Sequence, residues 1–212
     1  MYYENLKKAN EFTKSIGLPG REIASPSTLT YLNSAEFFNK IGDYIKINSP
    51  EDLVAKCNLV SEVIREVIEK EIGCKAYLTI GDVTFNSKPF FNMDEQHVKT
   101  VIQSGKASLI PQKYNHHAWI TLESMEIIDF TLNTSMALLS DNLSDEMREQ
   151  MIGGVLSGHA DKLTNDVVYH PILIGEDFYT EYDSVYSEFK TIYLSQINSK
   201  GSSASSKFVK AK

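Results

Sequence analysis

The residues of this chain best suited to chemistry are two cysteines, two adjacent histidines and one aspartate inside an apolar run. The thiols are Cys57 and Cys74, and His116 and His117 lead the apolar segment Ala118-Trp119-Ile120-Thr121-Leu122. Asp129 stands among Ile127, Ile128 and Phe130. A carboxylate in such company must be paired or its burial costs several kcal/mol. Segments 117–122 and 126–131 read as the two strands of a hairpin. With 122–124 as the loop, Thr121 faces Met125 and His117 falls opposite Asp129. Opposed residues share a face with Cβ atoms about 4.5–5.5 Å apart, close enough for a carboxylate to reach an imidazole. A slip of one residue would put them on opposite faces. In such a pair the acid fixes the imidazole tautomer and stabilises the imidazolium. A thiol beside an imidazolium becomes a nucleophile. On residue types alone, cysteine, then histidine, then aspartate is a generic arrangement, and Cys57 on an apolar helical face is by default a small buried hydrophobe.

These side chains need a helix for Cys57 and a sheet for His117 and Asp129. Ser49-Pro50-Glu51-Asp52 has the cap, proline and early acids of a helix start. Leu53, Val60, Ile64, Val67, Ile68 and Ile72 then recur near helical period, and Gly73 stops the run. Cys57 lies on the apolar face of that helix. Residues 74–81 read as a strand, and 167–174 as an edge strand because Pro171 donates no ladder bond. Shorter helices are expected at 4–16, 35–41, 94–102 and 143–152, the last capped by Ser144. A stripe of Phe178, Tyr182, Val185, Tyr186, Phe189 and Tyr193 predicts a helix over 177–196 packed on the core. Residues 20–34 read as a connecting loop. Helices, then strands, then helices favour an α+β domain with an antiparallel sheet.

The chain has 212 residues, 42% hydrophobic and 23% charged, with a net charge of −7. One domain is the default at this length. An acidic surface argues against nucleic acid and anionic membranes as partners, since phosphate binding needs clustered Lys and Arg. No apolar run approaches the roughly 18–20 residues of a membrane span. The polar start Met1-Tyr2-Tyr3-Glu4 lacks the layout of a secretory signal, so a cytoplasmic location is expected, with signal-independent export as the other route. Two cysteines without such a signal make a disulfide framework unexpected. Metal binding is disfavoured: adjacent histidines on a strand diverge, and no H-x-x-x-H or C-x-x-C spacing occurs.

His117-Ala118-Trp119, followed by Ile128-Asp129-Phe130-Thr131, resembles the H-A-W…D-x-T signature of transglutaminase-like cysteine enzymes. Upstream, Ile72-Gly73-Cys74-Lys75-Ala76-Tyr77-Leu78-Thr79-Ile80-Gly81 resembles the family's step from the cysteine helix into a strand ending in glycine. The resemblance spans roughly residues 50–135. It implies a papain-like or transglutaminase-like fold and a catalytic triad of Cys57, His117 and Asp129. It selects His117 over His116. Cys74, at a strand start, is read as structural on its position alone. The resemblance implies no cofactor and a peptide or protein substrate. The chain departs from the family at Ala55, where glycine is usual, and at Phe130, where proline is usual. The expected cap at Ser49 also starts the helix about two turns ahead of Cys57, whereas the family cysteine sits at a helix N-terminus; either the helix breaks near Ala55-Lys56 or Cys57 relies on His117 alone.

Trp119 shares the face of His117 and is read either as a substrate-binding cover of the triad or as core. Asn115 and Tyr114 are candidates for the mouth of the site, and the backbone N–H of Cys57 is the natural oxyanion donor. His159 and His170 are expected to be structural or at the surface. The domain is expected to cover 1–198, with its core at 45–198 behind an N-terminal helical segment, and 199–212 as a disordered Ser/Lys-rich tail. Function follows the triad: a cysteine peptidase or an amidase/deamidase acting on peptide or protein amides. A transglutaminase or acyltransferase shares the same residues. A secreted effector or toxin with this chemistry and a catalytically inactive binding module are the rivals.

Overall fold

Strands that bury both faces carry near-continuous apolar runs, and the central strands of this sheet are of that kind. The structure is a computed structural model and describes residues 1–42, 56–105, 116–140, 143–164, 166–183 and 186–199. In chain order the elements are α1 (Tyr2–Ser15), α2 (Ala35–Gly42), α3 (Cys57–Ile72), β1 (Ala76–Phe85), β2 (Lys88–Pro89) and α4 (Glu95–Ser104). They continue with β3 (His117–Leu122), β4 (Glu126–Asp129), α5 (Leu132–Leu139), α6 (Asp145–Met151) and β5 (Leu156–His159). After a 3₁₀ turn at Ala160–Lys162 come β6 (Val167–Ile174), α7 (Asp177–Tyr182) and α8 (Tyr186–Ser199). The protein is a mixed α+β fold, its helices packed on a curled antiparallel sheet. Among the described residues no helix is long and apolar enough to cross a membrane.

The sheet runs β2-β1-β3-β4-β5, with β6 antiparallel on β1. Every residue of β3 and β4 is buried, as are Ala76–Val83 of β1. Alternation divides them between two layers. Val60, Ile64 and Ile68 of α3 pack against Ile120, Leu122 and Ile128 on one face. Tyr2, Leu6 and Ala9 of α1 pack against Tyr77, Trp119 and Ile127 on the other. The N-terminal helix is thus a layer of the core and not an appendage to it.

β6 occupies 167–174 as expected, at an edge that tolerates Pro171. Its register on β1 shifts between Ile80 and Gly81. A Cβ on Gly81 would lie 2.0 Å from the His170 carbonyl oxygen, so only glycine permits this approach. Three expectations are corrected. The hairpin loop is 123–125, with Met125 in the left-handed region at φ 62° and its N–H bonded to Leu122 O at 2.8 Å. Thr121 therefore faces Ile127 and not Met125. The slip is of two residues, so face is preserved. Continued along the strands, it sets Asp129 across from Trp119 and leaves His117 on the same face at a diagonal.

The second correction concerns the cysteine helix. It begins at Cys57, because Lys56 has non-helical angles of φ −121° and ψ 19°. The capping segment expected at Ser49 lies outside the described residues, as does Ala55. Gly73 closes the helix in the left-handed region at φ 77°. The single helix expected over 177–196 is two, α7 and α8. Val185 lies outside the described residues, as do residues 200–212 of the expected tail.

α8 is fixed to α3 through Glu62, a buried carboxylate that accepts from the Tyr186 hydroxyl and the Lys190 ammonium. Burial raises the Glu62 pKa and the Lys190 charge opposes it. A buried acid so held anchors the last helix to the one that carries Cys57.

Candidate active site

Cys57 is the first residue of α3, and its side chain is half-buried. The first helical backbone bond runs from Val60 N–H to Lys56 O at 3.0 Å, and the Leu59 N–H bonds Asn58 Oδ1 at 2.9 Å. The thiol thus sits at the open, positive end of a helix of 16 residues.

His117 is the first residue of β3, and its ring is 1% exposed. Its Nε2 lies 2.5 Å from Asp129 Oδ2. An ionised carboxylate only accepts, so Nε2 carries the proton. The remaining ring nitrogen, Nδ1, is not engaged by Asp129, and Cys57 lies close enough to add to the proton affinity of the imidazole. Burial alone would lower the His117 pKa. The Asp129 charge and hydrogen bond, with Cys57 adding to them, outweigh it and push the imidazole up to about 10.

Asp129 ends β4 and has no exposed surface. Its Oδ1 accepts from Thr131 N at 2.9 Å, Thr131 Oγ1 at 3.2 Å and Leu132 N at 2.9 Å. Those amides open α5, so the carboxylate also meets a helix N-terminus. Oδ2 accepts from His117 and from the Tyr169 hydroxyl, the latter at 2.8 Å. Burial works to raise the Asp129 pKa, but the His117 charge and these donors hold it below the usual carboxylate range. The side chain is an anion whose lone pairs are all engaged on fixed partners.

Aromatic rings hold the imidazole. Phe91 stacks on His117 with centroids 4.7 Å apart and planes 8° from parallel. Trp119 lies 6.2 Å away at 22°. Trp119 has no exposed surface, and its indole N–H donates to Tyr2 Oη at 2.8 Å. As placed, it packs behind the triad and presents no face to a substrate. Tyr2 Oη also pairs with Thr121 Oγ1 at 2.8 Å, and Thr121 with Thr79 at 2.9 Å. Phe91 is set by Asp82 Oδ1, which accepts from Phe91 N at 3.0 Å and Asn92 N at 2.9 Å.

The structure therefore brings Cys57, His117 and Asp129 together. Asn115 and Tyr114 lie outside the described residues. His116 is buried and packs near Tyr179, with ring centroids 5.5 Å apart. Burial first, then the charges of His117 and His97, push its pKa down to about 3. Cys74 is 2% exposed, and burial, helped by the Glu123 charge, pushes its thiol up to about 12. It is an inert core residue. His159 bonds the Asp161 N–H through Nδ1, and His170 is exposed beside Thr84. Among the described residues no group of three His, Cys, Asp or Glu side chains converges to hold a metal ion.

Phe91, Tyr169 and Ser61 are the members of the surroundings that sequence reasoning missed. The fixed alternation of β6 puts Tyr169 on one face, but nothing local marks that face as the one toward Asp129. The chain matches no family model, no curated protein and no solved structure.

Proposed function

We propose that this protein is a cysteine-dependent acyl-transfer enzyme of the transglutaminase-like and papain-like kind, acting as a hydrolase on peptide or protein amides. The observation that carries the reading is a single imidazole bonded to a buried carboxylate and lying near a thiol at a helix N-terminus. A cysteine helix packed on an antiparallel sheet that bears histidine and aspartate is similar to the arrangement of that superfamily.

In this reading the Cys57 proton already resides on His117 Nδ1, the pair resting as thiolate and imidazolium, and the sulfur attacks the amide carbonyl carbon. A C–S bond forms and the carbonyl π electrons move to oxygen. The backbone N–H of Cys57, at the open end of α3, stabilises that oxyanion. His117 then protonates the leaving nitrogen, the C–N bond breaks, and a thioester remains. Water attacks the thioester with His117 as base, releasing the carboxylic acid and restoring the thiolate and imidazolium. Asp129 keeps Nε2 protonated and the ring oriented throughout. An amine in place of water gives transamidation with the same residues, and an acyl carrier gives an acyltransferase. Water is favoured because it is the acceptor that needs no second binding site.

The test is the rate of iodoacetamide labelling at Cys57 in wild type and His117→Ala. Cys57 is expected to label faster than a free thiol at neutral pH and to slow in the variant. Cys74, buried and inert, does not compete. Slow labelling that ignores His117 would overturn the enzyme reading and leave a binding module.

A further inference from the structure

One oxygen of Asp129 serves two donors. Oδ1 is spent on Thr131 and Leu132, which fix the carboxylate to the start of α5. Oδ2 alone faces the imidazole, and it also receives the Tyr169 hydroxyl at 2.8 Å. We propose that Tyr169 is a positioning residue for the thiol chemistry, its hydroxyl drawing charge from Asp129 Oδ2 and so setting how strongly that oxygen holds His117. This inference rests on the triad reading above.

Several observations make the contact a built one. Tyr169 is 3% exposed, so water does not compete for its hydroxyl. Burial and the Asp129 charge raise its own pKa well above 10, so it stays a neutral donor. Its ring packs on Trp119 with centroids 4.8 Å apart, and Trp119 in turn lies near-parallel to His117. Its backbone is held in β6 opposite Val83 of β1. The residue touches Asp129 and Trp119, two of the side chains that orient the imidazole, and acts through them.

The sign of the effect follows from the shared oxygen. A donor on Oδ2 reduces the charge available to the His117 N–H. Removing that donor strengthens the His117–Asp129 bond, and a stronger donor weakens it. A residue that merely filled space would do neither.

The experiment follows the low-field proton resonance of His117 Nε2–H in the full chain by NMR, assigned by its loss in His117→Ala. Tyr169→Phe is expected to move that resonance further downfield. Replacing Tyr169 alone by 3-fluorotyrosine, whose hydroxyl is a stronger donor in an unchanged shape, is expected to move it upfield. The second substitution keeps the test intact if Tyr169→Phe fails to fold. An unmoved resonance, or two shifts of the same sign, would overturn the proposal. Iodoacetamide labelling of wild type and His117→Ala separates the two levels. If labelling ignores His117 the triad reading fails, whereas His117-dependent labelling with an unmoved resonance sinks the role of Tyr169 alone.

Discussion

Ser61 Oγ donates to the carbonyl of Ala118 at 3.1 Å, tying the helix to the strand one turn beyond Cys57 and one residue beyond His117. Both residues are fully buried. The bond joins the two elements that carry the thiol and the imidazole, next to where those groups meet. Ser61→Ala removes a buried hydrogen bond worth about 0.5–1.5 kcal/mol net. The Tm is expected to fall modestly. Labelling of Cys57 at neutral pH is expected to slow as well, because the helix start loses its fixed distance from His117. Unchanged labelling with a lowered Tm would reduce Ser61 to a packing residue.

Asp129→Asn tests the carboxylate itself. The amide is nearly isosteric, but its nitrogen cannot accept the donors that converge on Oδ1 or Oδ2. Breaking a buried charged pair on one side costs about 3–5 kcal/mol, so unfolding by urea is expected at a clearly lower midpoint. The charge that offsets the burial of His117 is also lost. The imidazole is then expected to titrate at lower pH than in wild type, as read by NMR. A His117 titration that does not move would show that Asp129 is not what holds its proton.

What was legible in the sequence follows from what is local. The hairpin strands, the edge strand at 167–174 and the capped start of α6 depend on alternation and on near-neighbour hydrogen bonds. Asp94 caps α4 by accepting the His97 N–H, and Ser144 caps α6 in the same way. The hairpin register depends on where the loop begins, and the left-handed residue is Met125, a type that does not advertise that conformation. The slip of two kept His117 and Asp129 on one face, so the candidate pair survived a wrong alignment. Helix α5 was not expected because Leu132–Leu139 follows β4 with no glycine or proline between them. Tyr169 lies 40 residues from Asp129, and Phe91 reaches His117 from a separate loop. Contacts of that kind are set by tertiary packing and leave no local pattern.

The pKa values of the adjacent histidines are shifted in opposite directions, which predicts a peaked pH dependence of stability. The folded pKa of His117 is about 10, above its ordinary 6.5. Its contribution is fully present below 6.5 and is lost as pH rises toward 10. The folded pKa of His116 is about 3, below the same ordinary value. The unfolded chain gains the proton first there, so stability is lost as pH falls from 6.5 toward 3. Tm is therefore expected to decline on both sides of a maximum near pH 6.5, as far as these two groups govern it. In His117→Gln the alkaline decline should flatten, and in His116→Phe the acid decline should. Scanning calorimetry across that range checks both, and an alkaline limb unchanged by His117→Gln contradicts the assignment.

Asp82 and Phe91 predict that the cover of the imidazole can be removed separately from the triad. Asp82 is 8% exposed and belongs to β1, while Phe91 and Asn92 lie in the loop that follows β2. Its carboxylate oxygen takes both of their backbone N–H groups, and Asn92 sits in the left-handed region at φ 59°. Asp82→Ala leaves two amides without that acceptor, and a buried donor left unsatisfied costs about 1–3 kcal/mol. The loop is expected to loosen and the Phe91 ring to leave His117. Water then reaches the imidazole, and the low-field Nε2 proton resonance is expected to broaden through exchange. Phe91→Ala should broaden it equally while leaving the Asp82 clamp in place. Tyr169 and Asp129 are untouched in both variants, so the position of the resonance should hold while its exchange rate rises. A sharp resonance in both variants would mean that solvent is kept from His117 by other residues.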